Sequence, residues 1–243
     1  MNKEYDYIFK QYVNKLISPD GRETFESTKE LTERIIKNAE FKSENSVIDI
    51  GSGWGNNVIP ISELVKNVIG IEPDKKNIEE AQKRTEKAKI ENIQYIKGSF
   101  ENLHYKGHAD RIISSLAFHQ IKYGKRGRSI KNIKKCLLES GRFILCDTLM
   151  LFNPEKEQSK FNEVYRYLLP ITTPVNIYEK YIKPYMEDDS YQYSWEDMKK
   201  YTPKNNWYYS IGELEEEVEK NMMKIVKIDE LAPFFGIVSI ENK

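Results

Sequence analysis

Cysteine is scarce in this chain of 243 residues, with only Cys136 and Cys146 present. A disulfide-stapled scaffold is thereby excluded, and neither thiol has a histidine or second cysteine at zinc-ligand spacing. Both fit small buried residues of a reducing compartment. Net charge is absent too: 38 Lys and Arg balance 38 Asp and Glu. No global field therefore draws the chain to nucleic acid or an anionic membrane. No segment approaches the roughly 18 consecutive apolar residues of a membrane span, and the polar start Met1-Asn2-Lys3-Glu4-Tyr5 lacks a signal-peptide core. A cytoplasmic protein is expected. Repeats and low-complexity tracts are missing as well, and the length suits one large α/β domain with additions rather than two independent domains.

What is present is concentrated in Val47-Ile-Asp-Ile-Gly-Ser-Gly-Trp-Gly55 and Val68-Ile-Gly-Ile-Glu-Pro-Asp74. Val47, Ile48 and Ile50 form a short apolar run, the pattern of a parallel strand covered on both faces. Asp49 interrupts it, and a carboxylate there is expected to face the crevice at the carboxyl edge of the sheet. Gly51, Gly53 and Gly55 allow positive φ and close approach of a ligand to the main chain. A helix over residues 56–66 should then aim its free N–H groups at that ligand. A dinucleotide turn, G-x-G-x-x-G, would need a third glycine where Asn56 stands. Glu72, at the tip of the next strand, is placed to accept hydrogen bonds from two ribose hydroxyls.

An acid two residues before G-x-G-x-G, followed by a strand-end acid in Ile71-Glu72-Pro73-Asp74, resembles the cofactor site of class I, Rossmann-like S-adenosylmethionine (SAM)-dependent methyltransferases. The resemblance implies a doubly wound, mostly parallel seven-stranded sheet with the last strand antiparallel. It also implies SAM as cofactor and S-adenosylhomocysteine as product. Over residues 45–148 it rests on motifs, and over 221–241 on pattern alone. It assigns Asp49, Gly51, Ser52, Gly53, Glu72 and Pro73 to cofactor binding.

Further strands are read at 93–98, 109–116 and 141–147, with helices at 75–89 and 129–138. Ser140-Gly141 is the expected stop signal of the second helix. The resemblance places adenine beside Ser99 and Phe100, where Ser99 replaces the usual acid or amide and Phe100 is either a stacking ring or a core aromatic. It places the methionine part of the cofactor beside Ser115 and Leu116. His119, in the loop that follows, is either a general base or a structural hydrogen-bonder, whereas His104 and His108 should be solvated. Asp147, at the end of the fifth strand, either orients a substrate or caps a helix.

Two segments lie outside that core, which spans 43–150 and resumes at 221–243 with two strands joined by a turn containing Pro233. Residues 1–42 form an N-terminal helical lid: Tyr5, Phe9, Tyr12, Val13 and Leu16 recur at helical spacing, and a second helix is read over 23–39 after the turn Ser18-Pro-Asp-Gly21. Aromatics at such spacing read as core, whereas the resemblance implies an N-terminal helix that closes over the cofactor, which would bring Tyr5, Tyr7 or Tyr12 to the site. Residues 151–220 form a helical, aromatic-rich cap between strands five and six, with helices at 154–168, 195–201 and 211–220. At least two of its aromatics are expected to line the substrate pocket. The basic run Lys122 to Lys135 reads as a solvated helix face balanced by Glu213 to Glu217, or as a phosphate-binding rim.

These readings converge on a methyltransferase moving the sulfonium methyl to an O, N, S or C nucleophile of a small molecule, with His119 and then Asp147 as candidate bases. Neither nucleic acid nor a membrane is the expected partner, and no metal ligand set is recognisable. Two alternatives remain open: methyl or carboxymethyl transfer to tRNA or protein, and a SAM-binding module without catalysis.

Overall fold

The computed structural model describes residues 2–17, 23–188, 192–201 and 206–243. Helix α1 (Lys3–Tyr12) opens on Asn2, whose side chain accepts the N–H groups of Glu4 and Tyr5, and it buries Tyr5 and Phe9. The expected helical run through Leu16 does not form. The chain turns at Val13 into β1 (Val13–Ile17), which pairs antiparallel with β2 (Glu23–Ser27). Val13 is buried but Asn14, Lys15 and Leu16 are exposed, so no apolar helical face continues past Val13 to pack a helix against the core. The second helix accordingly starts six residues later than read, as α2 (Lys29–Ala39), where Thr28 caps the N–H of Leu31. The turn read at Ser18 to Gly21 lies outside the described residues.

The core follows the expected order: β3 (Ser46–Ile50), α3 (Val58–Ser62), β4 (Asn67–Glu72), α4 (Lys75–Ala88), β5 (Ile93–Lys97), β6 (Ala109–Ser115), α5 (Arg126–Cys136) and β7 (Leu137–Thr148). Boundaries move, the helix read over 129–138 running instead from Arg126 to Cys136. The helix read over 56–66 shrinks to five residues, because Pro60 donates no N–H and the Ser62 hydroxyl takes the Ile59 carbonyl. Ser140-Gly141 sits inside β7 rather than before it. After β7 comes the cap: α6 (Gln158–Thr172), a helical run of α7 (Val175–Ile177), a π turn (Tyr178–Ile182) and α8 (Lys183–Met186), then α9 (Trp195–Tyr201) and α10 (Ile211–Lys220). Helix α10 carries a capping box in which Ser210 and Glu213 satisfy each other's N–H groups. Strands β8 (Met223–Ala232) and β9 (Phe235–Asn242) close the fold.

The sheet runs β5-β4-β3-β6-β7-β9-β8, parallel from β5 to β7, with β9 antiparallel to both its neighbours. Successive strand residues feed opposite faces: Val47, Ile113 and Ile144 join the cluster under α2 and the cap, while Ile48, Ile112 and Leu145 join the one under α5 and α10. The chain reverses its winding between β3 and β6, which opens a crevice at their carboxyl ends. Among the described residues no helix is long and apolar enough to cross a membrane.

Candidate functional site

The crevice is a cavity of about 1030 Å³ whose wall includes Gly51, Ser52, Gly53, Glu72, Pro73, Ser99, Phe100, Ser115, Leu116 and His119. Sequence positions spread over four strand ends are thus brought together. The glycine turn itself is held by β4, since the N–H groups of Gly51 and Ser52 both donate to the Ile71 carbonyl. Gly51, at φ +80°, passes so close to the next strand's loop that a Cβ there would lie 2.5 Å from the Ala117 Cβ. With only a five-residue α3 behind it, the loop, and not a helix N-terminus, forms the floor of the cavity.

Glu72 stands on the wall with its carboxylate pre-set. Oε2 accepts the Gly53 N–H (3.1 Å), and Oε1 accepts the Asp74 N–H (3.1 Å) and the Asn77 side-chain amide (3.0 Å). Burial raises its pKa, and those three hydrogen bonds oppose the rise. Asp49 behaves otherwise. It lies beneath the glycine loop rather than in the crevice, as a strand side chain enclosed by the sheet, and is 2 % exposed. Burial, reinforced by the carboxylates of Glu72 and Glu26, pushes its pKa up to about 8. Its Oδ1 and the Ser52 hydroxyl are buried without a hydrogen-bond partner.

Ser99 and Asn102 exchange backbone hydrogen bonds in a tight turn that leaves the Ser99 position on the cavity wall. Phe100 packs edge-on against Phe118 at 5.5 Å, as a core ring, and also borders the cavity. Ser115 also borders it, with its hydroxyl 2.9 Å from that of Ser27, and Leu116 follows in a left-handed conformation at φ +54°.

His119 sits in a 3₁₀ turn, Phe118–Gln120, and is locked from one side. Its Nδ1 lies 2.6 Å from Asp147 Oδ1, and its backbone N–H donates to Asp147 Oδ2 at 2.6 Å. Asp147 is fully buried and also accepts from the Thr148 N–H and the Tyr209 hydroxyl. It is not among the residues that border this cavity and it does not cap the next helix, α6; its partner is His119. With Nδ1–H donated to a carboxylate, Nε2 is the acceptor nitrogen, and His119 borders the cavity. Behind the pair, the Arg126 guanidinium lies over the Tyr209 ring at 4.2 Å and donates to the Trp207 carbonyl, while the Trp207 N–H donates to the His119 carbonyl. Burial lowers the Arg126 pKa and raises that of Tyr209, which stays a protonated donor to Asp147. His104 and His108 are exposed, as expected.

The lid and cap meet the cavity with other residues than those read. Tyr5 is buried against Tyr167 and Phe234, Tyr7 is 71 % exposed, and Tyr12 packs near Phe235; none borders the cavity. Phe25, Glu26 and Ser27 of β2 border it instead. From the cap come Thr172, Pro174, Val175 and Asn206, and among the described residues no cap aromatic borders the cavity. The rings are consumed in packing the cap on itself, as in Tyr165 with Phe161 and Tyr193, and in holding it to the core, as in Tyr209 on Asp147. The basic run is partly internal: Arg126 is buried and Lys134 donates to the carbonyls of Asn221 and Met222. Lys122 and Lys125 stand at the cavity rim.

Known proteins share this fold. Residues 47–141 match the methyltransferase domain family. An uncharacterized methyltransferase of Alkaliphilus oremlandii is 27 % identical over 165 residues, which cover 67 % of this chain and 74 % of that protein. The crystal structure of YcgJ from Bacillus subtilis superposes with a TM-score of 0.60 at 16 % identity, covering 87 % of this chain and 98 % of that one. A SAM-dependent methyltransferase from Aquifex aeolicus gives a TM-score of 0.58 at 13 % identity, covering 86 % and 88 %.

Proposed function

We propose that this chain, a class I SAM-dependent methyltransferase, moves the methyl of SAM to a small molecule whose accepting atom carries a proton, and that His119 takes that proton. SAM supplies an already activated methyl group for in-line displacement, so the chain's task is alignment, exclusion of water and proton removal. Its residues fit that cofactor. Glu72 has acceptor capacity left on Oε2 for a ribose hydroxyl, Gly51 and Gly53 border the cavity, and the buried Ser52 hydroxyl lacks a partner that a ligand would provide.

The observation that carries the acceptor reading is the His119–Asp147 pair on the same cavity as Glu72. Asp147 fixes the imidazole tautomer and steadies the positive ring formed when Nε2 accepts a proton. A hydroxyl acceptor suits this arrangement best, because its oxygen gains nucleophilicity as the proton leaves. Thr172, Pro174, Val175 and Asn206 border the cavity on the cap side, and a volume of about 1030 Å³ suits a small acceptor beside the cofactor. The test is a screen of hydroxylated small molecules and cell extracts with methyl-labelled SAM, identifying the product by mass. His119→Ala should lower turnover of the acceptor so found by about 10²- to 10⁴-fold while cofactor affinity holds. Unchanged turnover in that variant would remove His119 from the reaction.

A further inference from the structure

The N-terminal hairpin places a carboxylate where neither the strand-end acids nor the glycine motif accounts for it. Glu26, on β2, borders the cavity with Oε2 held by the Asn56 side-chain amide at 2.8 Å. Oε1 is aimed at the glycine loop: a Cβ built on Gly53 would lie 3.1 Å from it, and Gly53 is at φ +52°. Asn56 is itself fixed by Arg84, which donates to its Oδ1 at 3.0 Å and lies 5.0 Å over the Trp54 ring. The neighbouring residue secures the strand, with the Ser27 hydroxyl 2.9 Å from that of Ser115 and accepting from the Asn57 amide.

Glu26 is one of three carboxylates around this loop, with Glu72 on the wall and Asp49 below. Their mutual repulsion is part of what raises the Asp49 pKa, and Asp49 Oδ1 and Ser52 Oγ remain buried without partners. Such a convergence of acids disfavours an anion and favours a cationic ligand group. Ser99 and Phe100 stand at the far end of the same cavity, past Glu72. If adenosine occupies that end, the amino-acid end of the cofactor lies over the glycine loop, and its cation besides the sulfonium is the α-ammonium.

We propose that Glu26 is a cofactor-binding residue that receives the α-ammonium of the cofactor's amino-acid end, so that the hairpin and the glycine loop hold that end between them. The inference rests on the cofactor reading above. It makes the hairpin part of the binding site rather than a cover, and explains why its position is tied down by three side-chain hydrogen bonds across to the core.

The experiment is calorimetry on the full chain, wild type and Glu26→Gln, with S-adenosylhomocysteine and with its analogue in which hydrogen replaces the α-amino group. The wild type should prefer the amino compound by about 10-fold or more, the size of a charge-assisted hydrogen bond. Glu26→Gln should lose that preference by weakening only the amino compound, with an unchanged melting temperature. Equal preference in both proteins, an equal loss for both ligands, or tighter binding of S-adenosylhomocysteine to Glu26→Gln would overturn the assignment. A wild type that binds neither ligand would bring down the cofactor reading itself, which is a different and recognisable result.

Discussion

The two sides of the cavity are built differently. On the glycine-loop side, most wall residues follow the carboxyl end of a parallel strand, and hydrogen bonds pin the turn to the Ile71 carbonyl and Glu72 to Gly53. On the lid and cap side, the wall is a two-stranded hairpin and the irregular end of α6, joined by single side-chain contacts such as Ser27 with Ser115. The first design fixes one shape of ligand. The second leaves the acceptor's shape to residues such as Val175 and Asn206, which change without disturbing the sheet. A methyltransferase needs this division, with one constant partner and one variable one.

The sharpest way to break the comparison is Gly51→Val. Its Cβ would meet Ala117 at 2.5 Å, at a φ of +80° that disfavours valine, so cofactor affinity should fall beyond about 100-fold in calorimetry. Glu72→Ala should follow, with a loss of about 10- to 100-fold, because it removes a charged acceptor and frees the Gly53, Asp74 and Asn77 donors it holds. On the other side, Asn206→Ala and Val175→Ala should alter KM for the acceptor several-fold while cofactor Kd stays put. A shift of both constants together would show that the two sides are not separable.

Most of the glycine-loop side was legible in the sequence, because its residues act through local rules. A glycine that must take positive φ, an acid at a strand tip and a short apolar run each point to one place. Asp49 was misplaced because an acid in a buried strand reads as crevice-facing, whereas the sheet here encloses it and raises its pKa instead. The other side was hardly legible. Val13 and Leu16 fit the spacing of a helix face although the helix ends at Tyr12, and nothing in Phe25-Glu26-Ser27 marks a wall residue. His119 and Asp147 were both singled out, but their pairing depends on the 3₁₀ turn at Phe118–Gln120 meeting the end of β7, a contact across 28 positions that spacing does not reveal.

Smaller effects sharpen the electrostatic half of the account. The fold holds Asp49 near pKa 8 against about 4 in an unfolded chain, so between those values the folded state binds the extra proton. Stability should therefore decline as pH rises from about 5 to about 8, by a few kcal/mol at most, and Asp49→Asn should flatten that decline in chemical denaturation. Smallest is the clasp of α2 on the sheet edge, where Arg34 makes two 2.7 Å hydrogen bonds to Asp229 and Asn38 adds a third. Burial raises the Asp229 pKa, but these partners outweigh it and leave it lowered, so the contribution is present at neutral pH and lost as acid protonates the carboxylate. Because Arg34 is partly exposed, Asp229→Ala should cost only about 1 kcal/mol in denaturation at pH 7.

The central claim, that the fixed side of the cavity is a SAM site, is tested most directly by titrating the purified chain with S-adenosylhomocysteine in a calorimeter, beside Gly51→Val. The account expects one saturable site per chain in the wild type and none in the variant. Absence of binding to a folded wild type at millimolar ligand, or undiminished binding to Gly51→Val, would contradict it.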